Sequence, residues 1–176
     1  MILMRHGQSE FNRHFAATRR DPGIPDPLLT EEGKAQAMQA AEALADAGIK
    51  RIVVSPYTRA LQTAAPIARA LGMPVLVNPV VRERFHFSCD IGTPISNLAR
   101  AWPDYDFSHI DEVWWPSDTE STDSTMARAA QFRAEMQANE FWRQTLVVSH
   151  WAFLLTFSGE NLNNGAWVRI ETLAAP

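Results

Sequence analysis

Cysteine is almost missing from this chain of 176 residues, which carries Cys89 alone. One thiol closes no internal disulfide, so the fold must be held by its core, and a reducing compartment fits that usage. Ser88 and Asp90 flank Cys89 and put an acid rather than a base beside it, so it reads as a structural thiol and not a nucleophile. No apolar run approaches the roughly 20 residues of a membrane span. Excess positive charge is also lacking: 16 Lys and Arg stand against 20 Asp and Glu, for a net charge of -4. A general nucleic-acid binder would carry a basic face. A few local arginines still suffice for a small anionic ligand. No basic segment followed by an apolar one opens the chain, which runs straight into an apolar strand. The expectation is a soluble cytoplasmic protein with neither nucleic acid nor membrane as partner. Internal repeats and low-complexity tracts are absent too, which excludes solenoids. Oligomeric state leaves no signal.

What is present is core. At 46% hydrophobic residues the chain suits one domain over residues 1–176. Met1-Ile2-Leu3-Met4 reads as a buried strand that stops at Arg5-His6-Gly7. Residues 10–29 read as a polar, irregular stretch, either a solvated loop or a set of bases that meets an anion. Thr30-Glu31-Glu32 starts a helix with an N-cap and first-turn acids, and Gly48 ends it. Arg51 to Ser55 is a second strand. A helix follows with Leu61, Ala64, Ile67, Ala68 and Leu71 on one face and Gly72 as its stop. Met73 to Val77 is a third strand. Residues 78–121 show no clean period beyond a short helix at Ile95 to Ala101. A loop that long is usually functional, so it is expected as an excursion over the active site. The Trp114-Trp115 pair within it reads as local core rather than a stacking platform. Ser124 to about Asn139 is a long helix, Gln144 to Ser149 a fourth strand, Trp151 to Phe157 a short helix and Trp167 to Thr172 a last strand.

Strands alternating with helices imply βα units. The expected fold is α/β: a three-layer αβα sandwich, with a mostly parallel central sheet and helices on both faces. In such sheets, ligands bind outside the carboxyl ends of the strands. Arg5 and His6, Arg59, and His150 each follow a strand and would meet at that edge. Two guanidiniums and two imidazoles suit a phosphate dianion. Metal binding fits poorly, because no third ligand accompanies the histidines and two cations would repel a metal. No cofactor is called for. A neutral imidazole can attack phosphorus while fixed cations hold the equatorial oxygens. An acid must then protonate the leaving oxygen. Glu83 is the first choice and Asp90 the second.

These residues fall in a known pattern. Leu3-Met4-Arg5-His6-Gly7-Gln8-Ser9 with Asn12, Leu28-Leu29-Thr30-Glu31-Glu32-Gly33, Ser55-Pro56-Tyr57-Thr58-Arg59-Ala60, and Val147-Val148-Ser149-His150 occur in one order along the chain. Together they resemble the histidine phosphatase superfamily, the phosphoglycerate mutase-like branch 1. The resemblance implies His6 as the phosphorylated nucleophile. It implies Arg5, Arg59 and His150 as the phosphate pocket, Asn12 near the phosphate, and Glu83 as the proton donor. It implies a phosphatase acting on a small phosphorylated substrate of unspecified identity. A mutase of the phosphoglycerate type, or a weakly active phosphate-binding regulatory module, is the alternative. Trp151 stands where many members have glycine, and residues 88–94 depart from the continuation seen in several phosphatase branches.

Overall fold

A computed structural model describes all residues, Met1–Pro176. Its centre is a five-stranded sheet of β1 (Ile2–Arg5), β2 (Arg51–Val54), β3 (Val75–Val77), β4 (Thr145–Ser149) and β5 (Trp167–Arg169), in the order β3-β2-β4-β1-β5. The first four are parallel, and β5 runs antiparallel along β1. The β2 and β4 sequences are short apolar runs rich in valine, as expected of strands covered on both faces. Alternation along the strands sends side chains to two separate cores. Ile2, Met4, Ile52, Val54, Leu146 and Val148 face α2 (Glu31–Ala43) and α3 (Thr58–Leu71). Leu3, Val53 and Val147 face α5 (Thr122–Gln137) and α6 (Trp151–Ser158). This is the three-layer α/β architecture with helices on both faces. No helix is long and apolar enough to cross a membrane.

The polar stretch after β1 is not a loop throughout. Residues Glu10–Thr18 form the helix α1. Ser9 accepts from the Asn12 amide, while Asn12 Oδ1 accepts from the Ser9 amide at 3.1 Å, a reciprocal cap with Asn in the third helical position. The helix buries only Phe11, and its apolar face is the i, i+4 pair Phe11 and Phe15, a stripe too short to stand out among the charged residues around it. Other boundaries shift by a few residues: α2 stops at Ala43, short of Gly48, and β5 ends at Arg169.

Residues 78–121 contain two 3₁₀ turns, Pro79–Val81 and Ser88–Asp90, and the helix α4 (Ile95–Ala101). Leu98, Phe107 and Trp114 anchor this region in the α2/α3 core. The Trp114 indole N–H donates to the Thr93 carbonyl at 3.0 Å, and its ring meets Tyr57 edge-on, so Trp114 is core.

Gly7 and Gly33 hold the turn after β1 against the first turn of α2. A Cβ on Gly33 would overlap the Gln8 carbonyl oxygen, and one on Gly7 would overlap the Gly33 carbonyl. Backbone lies on backbone here, and neither side has a flexible end to give way. Gly33→Ala is expected to lower stability by about 1–3 kcal/mol, read as a fall in the urea midpoint with m unchanged. An unaltered midpoint would show that the turn can move aside.

Candidate active site

The sheet order places β4 between β2 and β1, so the segments after these three strands lie side by side. His6 and His150 meet there with ring centroids 5.0 Å apart. Arg5 ends β1, Arg59 lies in the first turn of α3, and His150 caps α6. A cavity of about 350 Å³ opens at this edge, lined by Arg5, His6, Asn12, Arg59 and Glu83 among others. His150 is fully buried beside His6 and is not among the residues that line the cavity.

Each polar contact fixes a state. His6 Nδ1 lies 2.7 Å from the Gly7 carbonyl, which can only accept. Nδ1 therefore carries the proton, and Nε2 keeps a free lone pair. Burial, then the charges of Arg59 and Arg5, hold the His6 pKa well below the usual 6.5. The same forces, burial and Arg59 foremost, act on His150. His150 Nε2 pairs with Ser55 Oγ at 2.8 Å, while its Nδ1 has no partner in the protein. Arg5 donates from Nη1 to the Leu162 carbonyl at 3.0 Å, and its Nε is likewise buried without a partner. Such orphaned groups are rare in folded proteins. Three side-chain atoms of the chain share this condition, and two of them belong to this cluster.

Arg59 is only 2% exposed. Its Nη1 donates to the Cys89 carbonyl at 2.7 Å and its Nη2 to Asp90 Oδ1 at 3.3 Å, while the guanidinium lies over the Tyr57 ring at 4.2 Å. Asp90 also accepts from the His86 and Phe87 amides, each at 3.0 Å. Asp90 is thus a buried counter-charge of Arg59, and Asp26, with Oδ1 4.0 Å from Nη1, is a second. Cys89 is buried beside it, and burial pushes its thiol up, as suits an inert group.

Glu83 is half-buried on the cavity wall. Neither neighbouring arginine side chain pairs with it. Its carboxylate accepts from the Ala152 amide at 3.1 Å and the Phe153 amide at 3.2 Å, at the N-terminus of α6, and from the Arg84 amide at 2.8 Å. Burial, together with the negative charge of Asp90, raises the Glu83 pKa against the pull of those amides and Arg59. Asn12, already tied to Ser9, accepts from Asn164 Nδ2 at 3.0 Å, and the same amide group donates to the His6 carbonyl at 3.2 Å. Sequence reasoning missed Asn164 and Ser55. Ser55 carried a signal, because it ends β2 one place beyond the strand; Asn164 carried none.

A cluster behind Glu83 also escaped the sequence reading. The buried Glu120 pairs with Arg82 at 3.0 Å and with Arg128 of α5 at 2.8 Å. Arg128 donates in turn to the carbonyls of Val80 at 2.7 Å and Arg82 at 3.0 Å, gripping the segment that presents Glu83.

Fold and cavity define an α/β protein with an arginine-rich site at the sheet edge, His6 on its wall. The chain belongs to the histidine phosphatase superfamily (branch 1), which it matches over residues 1–169. It is 41% identical over 83 residues to the probable phosphoglycerate mutase GpmB of Cronobacter sakazakii, a match covering 47% of this chain and 37% of that protein. The chain thus spans little more than a third of that relative's length. Over its whole length it is 27% identical to the glucosyl-3-phosphoglycerate phosphatase of Mycobacterium tuberculosis, covering 86% of that protein. The solved mycobacterial glucosyl-3-phosphoglycerate phosphatase in complex with VO3 superimposes with a TM-score of 0.67 at 25% identity, covering 95% of this chain and 88% of that one.

The Glu120 cluster generates a test. Glu120→Gln leaves two guanidiniums short of counter-charge and is expected to cost about 3 kcal/mol at pH 7. Hydrogen bonds and charge from Arg128 overcome burial and hold the wild-type carboxyl at about 2, below the ordinary 4.5. Its contribution is therefore complete above the ordinary value and is lost as the pH falls toward 2. Urea unfolding of both proteins should show the gap closing over that window; a gap independent of pH would contradict the assignment.

Proposed function

We propose that the protein is a phosphomonoester hydrolase that works through a phosphohistidine on His6 and needs no metal, since fixed guanidiniums supply the positive charge. The observation that carries this reading is the His6 Nδ1–Gly7 hydrogen bond. It leaves Nε2 as the single nucleophilic atom of a neutral ring in a cavity shared with Arg5 and Arg59. The unpartnered Arg5 Nε and His150 Nδ1 support it as donors available to phosphoryl oxygens.

In the first step Nε2 attacks phosphorus, the ester P–O bond breaks, and the electron pair leaves on the alcohol oxygen. Glu83, protonated, gives its proton to that oxygen. Arg5 and Arg59 hold equatorial oxygens from the cavity wall, where the charge must be stabilised, and the phosphoryl group on His6 turns its third oxygen inward to the unpartnered Nδ1 of the buried His150. In the second step water attacks the phosphohistidine, Glu83 takes its proton, and the N–P bond breaks to release inorganic phosphate and restore His6. The substrate is a small phosphorylated molecule.

The match to proteins named as probable phosphoglycerate mutases favours one rival, in which a second hydroxyl replaces water. Whole-chain similarity to a phosphatase favours hydrolysis. Incubation with 3-phosphoglycerate separates them: a hydrolase releases inorganic phosphate, and a mutase yields the isomer.

Hydrolysis of an aryl phosphate in EDTA is expected from the wild type, with a loss of at least about 10³-fold in His6→Ala. Turnover that survives the substitution would remove His6 from the chemistry. In kcat/KM, which reports the first step alone, Glu83→Gln should cost about 10²–10⁴-fold on alkyl phosphates and much less on aryl phosphates, whose leaving groups need no proton. Equal losses on both would assign Glu83 another task. The pH profile follows from two shifts. His6, held well below 6.5, stays nucleophilic across the neutral range. Glu83, raised above 4.5, donates only below its own pKa. For alkyl esters, kcat/KM should fall as the pH rises through the Glu83 pKa, and Glu83→Gln should flatten that falling limb. A rate that climbs steadily with pH would contradict both assignments.

A further inference from the structure

The cavity has a second chemical character that phosphate binding leaves unused. Its apolar lining is mostly aromatic: Phe11, Phe15, Phe87 and Trp151. Phe11 stacks on Phe15 at 5.4 Å, and Phe87 meets them at 5.5 and 5.3 Å, so the three rings form one rigid patch. Trp151 departs from both usual roles of tryptophan, core residue or loose surface residue. It is 40% exposed yet fixed, because its indole N–H donates to Asn161 Oδ1 at 2.8 Å. Large exposed aromatic surface held in one orientation within a cavity is a binding feature more often than a packing one.

Trp151 also sits where the leaving group must be. It is the first residue of α6, and the amides of the next two residues, Ala152 and Phe153, bind the Glu83 carboxylate. The oxygen that Glu83 protonates therefore departs into the cavity that the indole also lines. Arg19 and Arg84 line the cavity too and pair with no acid, so charge selects phosphoesters in general and does not choose among them.

We infer that Trp151, with the Phe11–Phe15–Phe87 patch, makes this site selective for phosphomonoesters of planar, aromatic alcohols over open-chain polyol or glycerate phosphates. Trp151 is then the specificity-determining residue: it stacks on the leaving group and takes no part in proton or phosphoryl transfer. The inference rests on the phosphate pocket proposed above and names what that pocket accepts.

The test pairs turnover with binding, so that the two ideas fail separately. Phenyl phosphate and glycerol phosphate are compared by kcat/KM, and benzylphosphonate and methylphosphonate by calorimetry, in the wild type, Trp151→Ala and Trp151→Phe. Stacking predicts that the wild type prefers the aromatic member of each pair by about tenfold or more. Phenyl phosphate carries the better leaving group, so the phosphonate pair isolates stacking. Trp151→Ala should lose most of that binding preference, and Trp151→Phe should keep it. A general loss of structure would weaken both phosphonates alike, and the Phe variant guards against it. Preference unchanged in Trp151→Ala, or no preference in the wild type, would overturn the inference even if hydrolysis is fast. A full aromatic preference in binding with no hydrolysis of either ester would uphold the slot and sink the hydrolase reading instead.

Discussion

Burying the Arg59 guanidinium against two imidazoles is the constraint from which the rest of the site follows. A charge at 2% exposure needs partners, and its hydrogen-bonding partners come from a distant segment, the Cys89 carbonyl and the Asp90 carboxylate, with Asp26 at 4.0 Å as a further counter-charge. Asp90 can serve only if the chain from His86 to Asp90 closes tightly around it, and two amide bonds to its second oxygen make that closure. Loop shape is thus dictated by charge compensation rather than by an apolar pattern. The same fixed charge, added to burial, keeps His6 and His150 neutral. Neutrality is what gives an imidazole its nucleophilic lone pair.

The N-terminus of α6 is the second convergence. It starts immediately after β4, so the strand that delivers His150 also delivers the amides that bind Glu83. Glu83 arrives from the other side of the sequence and is steadied from behind by the Arg128 and Glu120 cluster. A carboxyl held between amides that favour its charge and burial that opposes it can move between acid and base. Trp151 occupies the junction of these two arrangements, which is why a single side chain there can change what the cavity accepts without displacing the charged groups.

The sheet was legible in the sequence because its strands are covered on both faces and show as unbroken apolar runs. Once β1, β2 and β4 are placed in one parallel sheet, Arg5, His6, Arg59 and His150 share an edge without further information. The helix α1 was hidden because it is held by a polar cap and a single i, i+4 pair, Phe11 and Phe15, too short a repeat to read as a period. Asp90 was legible as an acid near the site but not as the partner of Arg59, since that pairing spans 31 positions and depends on loop closure. Glu120, Arg128 and Asn164 were illegible for a related reason: each acts through backbone carbonyls or a side chain remote in sequence. Trp114 and Trp151 look alike on paper. Tertiary packing alone puts one in the core and the other on the cavity wall.

The measurement that bears most directly on this account is rapid mixing of the protein with an aryl phosphate, an alkaline quench, and intact mass analysis with fragment mapping. An N-phosphoryl group survives base and is lost in acid, which distinguishes it from a phosphoserine. The account predicts a transient adduct of one phosphoryl group on His6, formed and lost at rates that match turnover, and absent in His6→Asn. Steady hydrolysis with no adduct at any time, or an adduct on another residue, would contradict it.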